Sequence, residues 1–371
     1  MRTERTSKLP LFYTQVIGSL PRPQAVRDLL AKRGKLPETE YAAAMDDLVR
    51  FAIRFQELAG LDVISDGEWR RVQYVDEYLD RIGGFEPIDR YEHQGEVKFR
   101  RVIVRRLEMR EPVFARDARF LRDHTSRCTK FALPSPFLIA IRYWKQEYSA
   151  KAYPTYEHFM EHLAEILANE AQALAAAGID IIQLDDPALT YFCDRKLMAG
   201  EGSHDQRLRR NWDVEKQFPL AVAAINRIVE GVMAEIHLHC CHSVYKRRSD
   251  VSGDYKPILP RLQPARIDRV NLEFAYQQTG DITDLKDLPR HIDVGLGVVD
   301  VRTEIPQPTA QIQRLGAAAA ELIGPARIAL NPDCGFAPNS AEPPSMDEAY
   351  EKLKRLVEAA EGLRRQFTSK R

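Results

Sequence analysis

An α/β fold built as one TIM-type (β/α)8 barrel is predicted by three observations. Short β-rich apolar runs alternate with long amphipathic helical patterns. Eight such runs fit within 371 residues, and no fixed-period repeat or low-complexity tract breaks the alternation. Parallel neighbours need crossover connections, and closing the sheet removes its exposed edges, so repeated strand–helix units favour a barrel. A doubly wound open sheet is the alternative reading of the same alternation.

The expected strands are, in order, 13–18, 61–65, 130–133, 179–184, 235–240, 268–274, 291–297 and 327–331. Amphipathic helices are expected at 156–177, 214–234, 310–323 and 347–363, where apolar residues recur at helical spacing. Residues 83–127 break the rhythm with an alternating Phe-Arg-Arg-Val-Ile-Val-Arg-Arg-Leu-Glu-Met stretch, which reads as a β-hairpin inserted between strands 2 and 3 of a single catalytic barrel spanning 1–371. Its Arg100, Arg101, Arg105 and Arg106 read as a solvated basic face, with an anionic tail as the alternative partner.

Composition narrows the class of function. With 44% hydrophobic and 29% charged residues the chain can bury a sizeable core, which excludes wholesale disorder. Lys plus Arg and Asp plus Glu both number 54, so no net field gathers nucleic acid or an anionic membrane surface, and the expected partner is a small molecule. The start of the chain has no apolar run of signal-peptide length, and no apolar run approaches the ~20 residues of a membrane span. Five cysteines in so long a chain argue against a disulfide framework and for a reducing cytoplasm with a metal site.

The segment Glu235-Ile-His-Leu-His-Cys-Cys-His-Ser243 carries the densest chemistry. Strand residues alternate sides, so His237, His239 and Cys241 share one face and Cys240 turns to the other. Imidazole and thiolate are ligands that zinc favours, and i, i+2 spacing at a strand end lets both reach one ion. A His-x-Cys pair alone is equally what buried core residues produce. Two further strand ends add to it: Glu273 at the end of the sixth run, and Cys334 in the Pro-Asp-Cys-Gly turn after the eighth. Catalytic groups of such barrels lie at the C-terminal ends of strands, and N, S, O and S donors suit tetrahedral zinc. A core histidine, an inert thiol and a salt-bridged Glu273 are the structural alternatives.

Ordered motifs carry a resemblance across nearly the whole chain. They are Ile17-Gly-Ser-Leu-Pro21, Ser65-Asp-Gly-Glu68, Ile182-Gln-Leu-Asp-Asp-Pro187, the His239-x-Cys241 pair with Glu273, and Asn331-Pro-Asp-Cys-Gly335. The chain resembles the cobalamin-independent methionine synthases, zinc-dependent thiol alkyltransferases with a uroporphyrinogen decarboxylase-like barrel. The resemblance implies a zinc ion (Zn2+) on His239, Cys241, Glu273 and Cys334. It also implies that Ser19 binds the carboxylate of an amino-acid thiol while Glu68 and Asp185 hold its ammonium. An ordinary turn, an exposed acid and a helix N-cap are the plain readings of those three residues. Where the family usually reads Asp-Ile-His-Ser, this chain reads Asp300-Val-Arg-Thr303. Arg302 cannot act as a base near neutral pH and is instead a tentative catalytic or anion-gripping residue. The loose match at Leu133-Pro-Ser-Pro-Phe137 leaves Trp144 as a candidate stacking residue, with a place in the core as its alternative.

The function implied is methyl transfer to homocysteine or a similar thiol, from a folate, corrinoid or simpler donor or through a donor protein. Zinc would keep the acceptor thiol ionised near neutral pH. An epoxyalkane:coenzyme M transferase is the nearest competitor, with Arg302 as a sulfonate clamp. A metal-free decarboxylase-type barrel is opposed by the zinc set, and a non-catalytic metal-binding subunit is opposed by ligands spread over several strand ends.

Overall fold

The computed structural model describes residues 3–93, 96–108, 111–201, 212–336 and 343–368. Strand β1 (Val63–Ile64) is followed by a hairpin, β2 (Phe85–His93) and β3 (Glu96–Ile103), and then by β4 (Cys128–Pro134), β5 (Ile181–Asp185) and β6 (Glu235–His239). A two-residue ribbon, β7 (Val244–Tyr245) and β8 (Arg248–Ser249), precedes β9 (Arg269–Glu273), β10 (Asp293–Val299) and β11 (Ile328–Pro332). Seven of these form a parallel sheet in the order β1-β4-β5-β6-β9-β10-β11. The first predicted strand is reduced to two parallel bridges, Thr14 to Leu330 and Gln15 to Val63, and these join the two ends of the sheet. The strands β4, β5, β6, β9 and β11 are buried along their whole length, as expected for parallel strands covered on both faces.

The helices are α1 (Gln24–Leu30), α2 (Glu38–Ala59), α3 (Asp76–Ile82), α4 (Ala115–Asp123), α5 (Pro136–Tyr143), α6 (Gln146–Ser149) and α7 (Tyr156–Ala176). They continue with α8 (Arg195–Met198), α9 (Val214–Ile228), α10 (Thr309–Ile323) and α11 (Met346–Thr368). Helix α7 starts where Thr155 Oγ1 accepts from the His158 amide and turns Phe159, Leu163, Leu167 and Leu174 into the core. Between β9 and β10 the long crossover helix is replaced by a 3₁₀ segment, Ile282–Asp287, entered through a capping box of Asp281 and Asp284. None of the described helices is long and apolar enough to cross a membrane.

The hairpin covers only the first half of the predicted 83–127 stretch. Its Phe85, Val102 and Ile103 are buried, while the second half forms α4, packed on β4 and α7. The arginines of the hairpin are matched locally. Arg101 reaches Asp80 at 2.7 Å, Arg105 reaches Glu86 at 2.6 Å, Arg100 approaches Asp89 at 3.4 Å, and Arg106 lies over the Tyr153 ring.

The barrel interior below the site is polar. Lys130 Nζ donates to Gln183 Oε1 at 3.0 Å, Asn271 Nδ2 donates to the same oxygen at 2.9 Å, and Gln15 Nε2 donates to Asn271 Oδ1 at 3.1 Å. Buried amides survive because each finds a partner. Gly295 makes the room, since a Cβ there would overlap the Asn271 and Asn331 side-chain oxygens.

Candidate functional site

His239 is the last residue of β6, Cys241 follows it by two, and Cys334 lies two residues past β11. Parallel strands bring these ends to one mouth, and a ligand atom of each lies within 4.8 Å of the other two. His239 Nδ1 stands 3.1 Å from Asp185 Oδ1, at the end of the neighbouring β5. A carboxylate accepts only, so Nδ1 carries a proton toward Asp185, and Nε2 is the nitrogen turned toward the thiols. That Nε2 is buried and has no hydrogen-bond partner among the described residues. An orphaned imidazole nitrogen beside two thiols, oriented by a carboxylate behind it, is a donor set that fits zinc.

The same atoms show their electrostatic coupling without metal. The Cys334 thiol is lowered to about 5, chiefly by a hydrogen bond from Cys241 and then, against burial, by His239. Cys241 is pushed well above its usual range by the same pairing, by burial and by the charge of Glu273. Burial opposes charge on His239, but Asp185 and Cys334 raise it to about 10. A thiolate facing an imidazolium is the resulting state. Cys240, by contrast, packs into the hydrophobic core, as strand alternation predicts.

Glu273 lies outside this trio. Its fully buried carboxylate accepts from Arg302 Nη2 at 2.7 Å, from His242 Nδ1 at 3.1 Å and from the His242 amide at 3.3 Å. Burial would raise its pKa, but Arg302 and His242 hold it below the ordinary value. Arg302 itself donates to Glu273, Asp333, Asp300 and Ser249. The structure therefore gathers three predicted donors and places the fourth against a cation.

The residues expected to receive the amino-acid end sit around the same mouth. Glu68 has φ +57°, a left-handed conformation that costs a non-glycine residue about 1 kcal/mol or more and that clusters at functional sites. Asp66 Oδ1 accepts from its amide at 3.0 Å, and its carboxylate lies against Gly18, where a Cβ would overlap it. Burial pushes Glu68 up to about 7, Arg71 at 3.9 Å opposes this, and the charges of Asp185 and Asp66 add to it. Ser19 is half-buried, with its Oγ against Gly335 and its carbonyl accepting from the Phe336 amide at 3.1 Å, so it flanks the Cys334 turn. Asp185 has a second partner in Gln183 Nε2, at 2.7 Å. Trp144 stays in the helix layer, its Nε1 donating to the Tyr153 carbonyl at 3.0 Å.

Sequence reasoning missed His242, Asp333 and Tyr74. His242 stands next to Cys241 and Asp333 next to Cys334, so adjacency to an expected ligand was the available signal. Tyr74 had none: its hydroxyl is buried without a partner among the described residues, in the field of Asp185 and Cys241.

The family model described as "Cobalamin-independent synthase, Catalytic domain" matches residues 12–362. A protein named methionine synthase from Thermococcus kodakarensis is 31% identical over 97% of this chain and 96% of its own length. Its namesake from Pyrococcus abyssi is 31% identical over 97% and 95%. Among solved structures, a B12-independent methionine synthase from Shewanella sp. W3-18-1 superposes with a TM-score of 0.79 at 24% identity, covering 97% of this chain and 99% of that one. A putative vitamin-B12 independent methionine synthase from Listeria monocytogenes gives 0.72 at 20% identity, covering 96% and 99%. The two structures establish the barrel-type fold, and the family match with the two relatives shows that the chain belongs to the cobalamin-independent methionine synthase family.

Proposed function

We propose that the chain is a zinc-dependent methyltransferase that moves a methyl group to the thiol of homocysteine or a similar amino-acid thiol, as a single catalytic barrel with residues 83–127 inserted. The observation that carries this reading is the orphaned His239 Nε2 beside the Cys241 and Cys334 sulfurs. His239, Cys241 and Cys334 would hold the ion, with Glu273 as the further donor. Zinc supplies Lewis acidity that keeps an acceptor thiol ionised near neutral pH. The protein's own groups do the rest. Asp185 fixes the His239 tautomer, Glu68 and Asp185 offer two buried carboxylates to an ammonium, and Ser19 offers a hydroxyl to a carboxylate.

The relatives' shared name supports the same reaction. All five cysteines are free, and a catalytic thiol pair persists only where it stays reduced, which supports a cytoplasmic setting. The competing sulfonate reading is disfavoured, because four of the five N–H groups of the Arg302 guanidinium already serve Glu273, Asp333, Asp300 and Ser249.

The test is a thiol-methylation screen of zinc-loaded protein, with homocysteine and coenzyme M each offered methyl-folate, methyl-corrinoid and simple methyl donors. Thioether formation from homocysteine with at least one donor is expected. Alkylation of coenzyme M alone would overturn the reading.

A further inference from the structure

Arg302 lies between Glu273 and the turn that carries Cys334, and its surroundings give it a task there. Its side chain is 4% exposed, and Glu273 and Asp333, its two nearest carboxylate partners in the site, are fully buried. Nη2 meets Glu273 Oε2 at 2.7 Å and Nη1 meets Asp333 Oδ2 at 3.3 Å. Nε donates to Ser249 Oγ at 3.0 Å, and the guanidinium lies 4.6 Å over the Tyr276 ring. Asp333 immediately precedes Cys334, and its other oxygen, Oδ1, accepts from the amides of Phe274 and Ala275 at 3.2 and 3.1 Å, just after Glu273. One planar fork thus ties the end of β9 to the turn after β11, the two places that carry Glu273 and Cys334. Arginine suits this because its fixed, paired donors can bridge carboxylates that a point charge cannot.

The two oxygens of Glu273 are held unequally. Oε2 is fixed from two sides, by Arg302 and by His242 Nδ1, whereas Oε1 has the His242 amide at 3.3 Å. We propose that Arg302 is a positioning residue of the metal centre: with His242 it pins Glu273 Oε2 so that Oε1 is presented as the fourth donor, and through Asp333 it keeps the Cys334 turn in place. The proposal rests on the zinc reading given above.

The test compares Arg302→Met, Arg302→Lys, Glu273→Gln and the Arg302→Met/Glu273→Gln pair for zinc affinity, by competition with a chelator, and for the visible absorption of the cobalt(II)-loaded protein. Losing a residue that orients a ligand typically weakens metal binding 10–100-fold, and that loss is expected for Arg302→Met. Its cobalt spectrum should move toward that of Glu273→Gln. The double variant should bind no more weakly than the worse single variant, because both changes remove the same ligand. Arg302→Lys, which keeps a cation should the neutral variant not fold, should lose part of the affinity and still alter the spectrum. Wild-type affinity with an unchanged spectrum in either Arg302 variant, or losses that simply add in the double variant, would overturn the proposal while leaving the zinc reading intact. Failure of the wild-type protein to take up zinc would overturn both.

Discussion

On the proposed reading three side chains, His239, Cys241 and Cys334, set the chemistry, and the reading makes separable predictions for them. Cys241→Ser and Cys334→Ser should lose most bound zinc by elemental analysis, while Cys240→Ser, altered on the core side of the strand, should keep it. Retention in all three variants would contradict the site. Without metal His239 titrates at about 10 and Cys241 well above its ordinary range, so both are protonated near neutral pH, whereas Cys334 at about 5 is already a thiolate. A zinc ion bound as proposed would therefore displace protons from His239 and Cys241. Apparent affinity should rise by up to ~100-fold per pH unit between about 6 and 9, with about two protons released per ion. A calorimetric titration in buffers of different ionisation enthalpy counts those protons, and a pH-independent affinity would contradict the assignment. Asp185→Asn should weaken zinc binding ~10–100-fold by releasing the His239 ring, and should also narrow the preference for an amine-bearing thiol. That His239, Cys241 and Cys334 come together was legible in the sequence because strand periodicity fixes which way a side chain points. That Glu273 ends β9 was legible in the same way, but which partners its carboxylate takes, Arg302 and His242, was not, because such long-range pairings leave no periodic trace.

At the scale of elements, each strand end delivers one or two functional groups, and the glycines beside them mark where the backbone must come close. Gly295→Ala would force a methyl group into the Asn271 and Asn331 oxygens. The change should destabilise the fold by about 1–3 kcal/mol, read as a lowered chemical-denaturation midpoint. Thr155→Ala removes the N-cap of α7 and should lower stability by about 1 kcal/mol without changing zinc content. An unchanged midpoint in either variant would contradict the packing or the cap described. Apolar runs and caps made most strands and the long helices readable in advance. Two stretches differ in detail from their sequence patterns. The stretch 13–18 carries strand-type residues but makes only isolated bridges, and 83–127 holds a helix, α4, after its hairpin. Alternating residues announce a strand, but where a strand stops depends on neighbours far along the chain.

For the whole molecule, the donors lie on strand ends separated by nearly a hundred residues, so an ion that binds them ties β6 to the turn after β11 only when the barrel is folded. Zinc should accordingly raise the melting temperature by mass action, and a chelator should reverse the gain. The central claim is narrower: the metal centre exists to ionise an acceptor thiol. The direct measurement is proton release on adding homocysteine to zinc-loaded and zinc-free protein in weakly buffered solution at neutral pH. About one proton per chain should appear with zinc and essentially none without it, because a free thiol stays protonated there. Equal release from both forms, or none from the zinc form despite thiol binding, would contradict the account.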